Sequence, residues 1–177
     1  MNDLRCLLTL SILLFSPLSL AVPYSFRPTS FEDHGICPLE CCRYTEWTVN
    51  QNTPIRKTRS NKAAVVFTAK KSDQVKALTG VVLISKPGQA RLLKSLVLNG
   101  ESVEKGEVIH LLTPLDKDSY KIWYRGKRVR DFDQMQDLEI ITPPQSIWWV
   151  KIQNNQGQTG WSNQPEHFDN KAVCRQN

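Results

Sequence analysis

Histidine is scarce and scattered in this chain of 177 residues: His34, His110 and His167 stand far apart. No His-Glu-x-x-His zinc helix can be drawn from them. A Gly-x-Ser-x-Gly elbow and a phosphate-binding glycine loop ending in Lys-Ser/Thr are also missing; neither Gly100 nor Gly106 has the required followers. His110 lies inside Val108–Leu112, where a half-buried or edge-strand histidine is the plain reading. The carboxylate pairs Asp116/Asp118 and Glu101/Glu104 fall among turn residues and read as solvated loop charges rather than a paired acid and base. These absences point away from an enzyme and give no reason to expect a cofactor or a metal. Two further things are lacking. No apolar run reaches the roughly 20 residues that a membrane helix needs, and no segment sustains a helical period for more than about three turns.

The N-terminus carries an export pattern. Arg5 precedes the apolar run Cys6–Phe15, Pro17 breaks it, and Ser19-Leu20-Ala21 places small residues where a signal peptidase requires them. The expectation is a signal peptide over residues 1–21, cleavage after Ala21, a mature start at Val22, and a periplasmic or secreted protein without a membrane anchor. Cys6 precedes the apolar core, so it is not placed as a lipoprotein cysteine.

Four cysteines then remain: Cys37, Cys41, Cys42 and Cys174. An even number in an exported chain reads as two disulfides. A bond between the adjacent Cys41 and Cys42 would close a strained ring. The other two pairings each join Cys37 to one of that pair and send Cys174 back to the other. The long bridge closes a loop of about 130 residues and contributes roughly 4–5 kcal/mol in a chain-entropy account. A zinc site from His34, Cys37, Cys41 and Cys42 is the competing reading; adjacent cysteines make poor tetrahedral ligands, and export favours oxidation.

The remaining chain reads as β. Residues 22–43 hold prolines and show no period, an irregular cysteine-containing arm. From Tyr44 onward, β-branched and aromatic runs alternate with turn residues: Glu46–Val49, Ala64–Thr68, Gln74–Ile84, Glu107–Leu112, Tyr120–Arg125, Ile147–Gln153 and Gln158–Trp161. Arg91–Leu98 is ambiguous between strand and short helix, and Asp131–Glu139 reads as a loop or a single helical turn. With 40% hydrophobic residues, 5 Trp, 4 Tyr and 6 Phe, the chain can bury a core, and short strands at this spacing indicate a small barrel or sandwich. Alternation puts Trp148, Val150 and Ile152 on one face and Trp149, Lys151 and Gln153 on the other. It likewise separates Tyr120, Ile122 and Tyr124 from Lys121, Trp123 and Arg125. With the aliphatic faces inward, Trp123 and Trp149 are expected outside, beside cations.

The stretch Trp149-Val-Lys-Ile152 followed by Gly157-Gln-Thr-Gly160-Trp161 resembles the closing strands of bacterial SH3-like domains, whose pattern is W-x-x-V, a turn, then G-x-x-G-W. Thr53-Pro-Ile-Arg56 and Val65–Leu78 are similar to the opening strands, with Ser72 where the family's K-K-G turn has glycine. Lys105–Ile109 and Tyr120–Gly126 repeat the middle-to-late part of the pattern. The resemblance implies an all-β fold of SH3-like small barrels, disulfide-stapled, over residues 44–177. Either two degenerate barrels pack together, at about 44–98 and 99–165, or one barrel carries a long insertion. It also implies a non-catalytic module that holds a cell-wall component, a peptide or a protein.

Net charge is +6, from 23 Lys and Arg against 17 Asp and Glu. The cations cluster at Arg56, Lys57 and Arg59 and again at Lys121, Arg125, Lys127, Arg128 and Arg130. Such clusters steer anionic partners or simply solvate a face; export argues against nucleic acid. The candidate binding residues are Trp123, Arg125, Lys127, Arg128, Trp149, Lys151 and Trp161. The alternative function is a secreted or periplasmic inhibitor or immunity-type protein that blocks a partner enzyme.

Overall fold

The computed structural model describes residues 29–116 and 118–172, and within them the chain is all-β, with no α-helix and two single 3-10 turns. The first seven strands are β1 (Phe31–His34), β2 (Glu46–Val49), β3 (Thr53–Arg56), β4 (Val65–Ala69), β5 (Gln74–Lys86), β6 (Gly88–Leu92) and β7 (Leu96–Leu98). After them come β8 (Glu101–Val103), β9 (Val108–Pro114), β10 (Tyr120–Tyr124) and β11 (Lys127–Phe132). The chain ends in β12 (Leu138–Thr142), β13 (Gln145–Gln153), β14 (Thr159–Ser162) and β15 (Phe168–Asp169). All seven strands expected from alternation are present. The ambiguous Arg91–Leu98 segment divides between β6 and β7, and the acidic stretch contains a 3-10 turn at Met135–Asp137. The N-terminal arm is not wholly irregular: β1 pairs antiparallel with β5, Phe31 opposite Ile84 and His34 opposite Val81.

Strand partnership divides the chain unequally. One curled, half-barrel sheet runs β15-β2-β5-β13-β14-β3-β4, with β1 added to the far half of β5. A second sheet, β11-β10-β9-β6-β12, is built entirely from the residues between β5 and β13, and the hairpin β7-β8 stands apart from both. The partnership therefore changes at 86–88 and at 142–145. Entry and exit of the second sheet lie together. Lys86 and Gln145 are direct cross-strand partners. A Cβ on Gly88 would come within 2.7 Å of the Thr142 oxygen and the Pro144 nitrogen, so only glycine admits this close crossing.

Each sheet has its own core. Trp47, Val49, Ile55, Ala69, Val75, Ala77, Val150, Ile152 and Phe168 fill the first, with Tyr44 and Trp148 packed at its margin. Trp148 thus faces inward as expected, at the border of the core. A bulge makes this lining coherent: Lys151 pairs with Thr79 but Ile152 with Ala77, so Leu78 is the extra residue and the inward positions shift from even to odd. The second core is aliphatic at its centre: Ala90, Leu92, Ile109, Leu111, Ile122 and Leu138, with the hairpin's Leu96, Leu98 and Val103 closing it. Val81, Val82, Ile84, Leu112 and Trp149 are buried but belong to neither core. Between the sheets, the Lys121 ammonium lies 2.7 Å from Asp33 Oδ2 and 2.9 Å from Oδ1, with side-chain exposures of only 16% and 10%. This pair ties β10 to β1, and Arg128 adds a second tie by standing 5.3 Å from the Phe31 ring centroid.

The described cysteines lie together between β1 and β2. Cys37 is bonded to Cys42, and Cys41 is disulfide-bonded as well. Cys6 and Cys174 lie outside the described residues. A β-bridge sets Ala172 beside Cys42, and Arg43 N–H donates to the Lys171 carbonyl at 2.9 Å, so the chain approaches the pair just before Cys174. Tyr44 locks the same corner: its hydroxyl donates to the Ile36 carbonyl and accepts from the Trp148 indole, and burial pushes its pKa up to about 12. The expected signal peptide also lies outside the described residues.

Candidate functional site

The seven candidate binding residues separate into two groups on different sheets. Trp123 is half-buried in β10, with His110 and Arg128 as its cross-strand neighbours. The cations around it are engaged. Arg125 meets Glu107 at 3.1 Å and stacks 4.9 Å from the Tyr124 ring centroid. Lys127 pairs with Glu101, and Lys121 is held by Asp33. The Lys127 hydrogen bond holds the Glu101 carboxyl below its ordinary range. Glu107 is likewise lowered, first by the Tyr124 hydroxyl that donates to it at 2.5 Å, while burial and that same carboxylate push Tyr124 up to about 12. The cluster that sequence offered as an open basic patch is thus largely neutralised by acidic side chains distant in sequence.

Trp149 is a correction. Alternation places it beside Lys151 on the outer face of β13, and the structure keeps it on that face but buries it to 4% exposure. Arg59 contacts Glu32 of β1 at 3.0 Å and stands 5.7 Å from the Trp161 ring centroid on β14. In strand order, β5 and β13 lie between those two contacts, and Val81 and Trp149 are paired there on the same face. Arg59 therefore spans the same outer face on which Trp149 lies buried.

Lys151 and Trp161 do come together. They are direct cross-strand partners, and the Lys151 ammonium lies 6.0 Å from the Trp161 ring centroid. The row continues: Trp161 opposite Arg56, Arg56 opposite Val65. Thus Lys151, Trp161, Arg56 and Val65 form one line across four strands of the outer face. Gly160 makes the close approach of β14 to β3 feasible, because a Cβ there would sit 2.7 Å from both the Arg56 oxygen and Ile55 Cγ2. Arg56 is braced by donating to the Ala63 carbonyl at 2.8 Å.

The row ends at the free edge of the sheet. Val65 and Val66 are 48% and 38% exposed. Lys57 and Lys62 lie before β4 and Lys70 and Lys71 directly after it; all four are exposed, and among the described residues none has an ion-pair partner. Sequence reading noted Arg56, Lys57 and Arg59 as a cluster but did not join them to Trp161, which needs the β14–β3 pairing. Chemically this surface offers cation–π-dressed indole, positive charge and exposed aliphatic area. Among the described residues no group of His, Cys, Asp and Glu could hold a metal ion, and no helix is long and apolar enough to cross a membrane. Comparison with known proteins gives no matching family model, no matching curated protein and no matching solved structure.

Proposed function

We propose that this chain is an exported, non-catalytic binding module of the bacterial SH3-like kind, and that its ligand seats on the row Lys151, Trp161, Arg56 and Val65. The observation that carries the reading is Trp161: a large half-buried indole on an outer sheet face, with two cations over its ring and an exposed aliphatic edge beside it. Such anchors are enriched where binding energy concentrates. Two features support the SH3-like assignment within the curled sheet. Ser72 adopts φ of 75°, the left-handed conformation that the pattern's glycine would supply at this turn. Gly160 stands where only glycine admits the neighbouring strand. The paired cysteines belong to an oxidising compartment and so support export.

The test is retention of purified protein on peptidoglycan sacculi and, separately, on immobilised periplasmic proteins. Trp161→Ala is expected to lose retention on one of these while its thermal midpoint changes little, since a half-exposed cation–π contact is worth about 1 kcal/mol. Equal retention of Trp161→Ala and wild type on both supports would overturn the placement of the site.

A further inference from the structure

We infer that the occupant of this surface is an acidic polypeptide segment in extended form, laid along the open edge of β4; the inference rests on the binding-module reading and names its partner class. Three observations favour a polypeptide over an anionic glycan. First, β4 is the terminal strand of its sheet, paired with β3 on one side only. Second, the amide and carbonyl groups of that edge are available for a ladder. Pro54, opposite Thr68, has no N–H to give, which fits a pair that exchanges no ladder bonds; the Thr68 amide and carbonyl then point away from β3 to the open side. A polypeptide can answer that pattern by strand addition, whereas a sugar cannot. Third, a saccharide stacks on an open indole face, but Arg59 and Lys151 stand over the Trp161 ring.

The charge chooses the sign of the partner. Lys57, Lys62, Lys70 and Lys71 bracket β4 at both ends, and Arg56 and Lys151 lie one and three strands inward of it along the row. Among the described residues none of the four lysine ammoniums has an ion-pair partner, the nearby Asp73 carboxylate accepting instead from the Lys70 amide at 2.8 Å, so a segment alternating carboxylates with small aliphatic side chains would meet cations at its ends and Val65 and Val66 at its centre. The opposing reading is defence: lysines flanking an edge strand, and a bulge such as the one between Ile55 and Arg56 opposite Val66, are also devices that keep edges from pairing. The two readings predict different binding.

The probe is a fluorescein-labelled Glu-Val-Glu-Thr-Glu-Val-Glu-Thr peptide, titrated beside its Lys-for-Glu counterpart and beside heparin as an anionic glycan. Binding of the acidic peptide is expected to saturate, to weaken with added salt, and to fall about tenfold in the Lys70→Glu/Lys71→Glu variant. Amide exchange at Thr68 should slow when the peptide is bound. Thr68→Pro should lose the peptide, and a peptide N-methylated along one edge should lose binding to the wild-type protein, which keeps the test valid if Thr68→Pro fails to fold. Absence of acidic-peptide binding, equal binding of the basic peptide, or heparin binding that outcompetes the peptide without protecting Thr68 would each overturn the proposal. The two readings fail separately. If Trp161→Ala abolishes retention while the β4 changes leave it intact, the site stands and the edge docking falls. If the peptide protects Thr68 but Trp161→Ala changes neither its binding nor retention, the edge stands and the Trp161 row falls.

Discussion

The two sheets solve the same problem by different means. The first is assembled from strands far apart in sequence: β2 meets β15, β3 meets β14 and β5 meets β13. Its core is weighted to large aromatics, Trp47 and Phe168 at the centre with Tyr44 and Trp148 alongside, and disulfides close its N-terminal corner. The second sheet is contiguous in sequence and aliphatic, linked by hairpins such as β9–β10–β11, and it holds no disulfide among the described residues. Non-local pairing requires large loops to be closed before contacts form. Bulky aromatic side chains fill the core of the non-local sheet, while the locally paired sheet packs around aliphatic ones.

The comparison can be broken first at the cysteines. Cys41→Ser and Cys174→Ser are each expected to destabilise the protein by about 4–5 kcal/mol, the chain-entropy value for a loop of about 130 residues, and to do so equally if these two are partners. Denaturant melts of both variants, with peptide mapping of the non-reduced protein, check it; unequal losses would mean a different pairing. Next come the tryptophans. Trp47→Ala and Trp149→Ala should each cost about 3–5 kcal/mol, and Trp148→Ala, at the core's margin, less. A Trp149→Ala variant as stable as wild type would show that its burial contributes nothing to stability.

Smaller effects sharpen how far the two sheets act as one. Lys121→Met leaves Asp33 between the sheets without its cation, and about 2 kcal/mol is expected for a pair that is not fully buried. One calorimetric transition should become two if this pair couples the halves; a single transition with unchanged midpoint would deny it that role. In alkali each half has its own reporter. Tyr44 in the first sheet and Tyr124 in the second both have folded pKa values raised to about 12, above the ordinary 10. A raised pKa contributes stability that is complete below the unfolded value and is lost as pH climbs through the folded one, so stability should fall between about pH 10 and 12. Tyr44→Phe and Tyr124→Phe should each flatten that fall, readable from melts across the range. Last, Arg91→Ala removes the exposed contact to Glu139 on the second sheet and should shift stability by no more than about 0.5 kcal/mol.

Much of the strand pattern was legible because half-buried strands alternate: β2, β5, β10 and β13 followed directly from residues such as Glu46–Val49 and Tyr120–Tyr124. What escaped depends on partners remote in sequence. β1 escaped because it is four residues long and carries the polar Asp33 at its buried position, so no apolar period marks it. Trp149 obeys alternation, yet it is buried on the outer face, which Arg59, ninety positions earlier, spans from Glu32 to Trp161. The basic cluster at 121–130 was read without Glu101, Glu107 and Asp33, which the fold brings to it. Lys151 and Trp161, two of the seven candidates, are cross-strand partners because one short turn joins their strands, whereas Arg56 and Val65, which complete the row, required the β14–β3–β4 order.

The crossing at Gly88 and Pro144 has an architectural consequence. β5 and β13 form a continuous antiparallel pair from Gln153–Lys76 to Gln145–Lys86, so topologically they are the two arms of a hairpin, and the whole second sheet occupies the place of its turn. A graft replacing residues 87–144 by a two-residue Asn-Gly connection would leave every strand partnership of the half-barrel intact. It would strip cover from Val82 and Ile84, which belong to neither core, so such a miniature would need polar residues at those two positions. The molecule is in that sense one frame with an inserted sheet, entered and left through a crossing so close that it admits only a glycine.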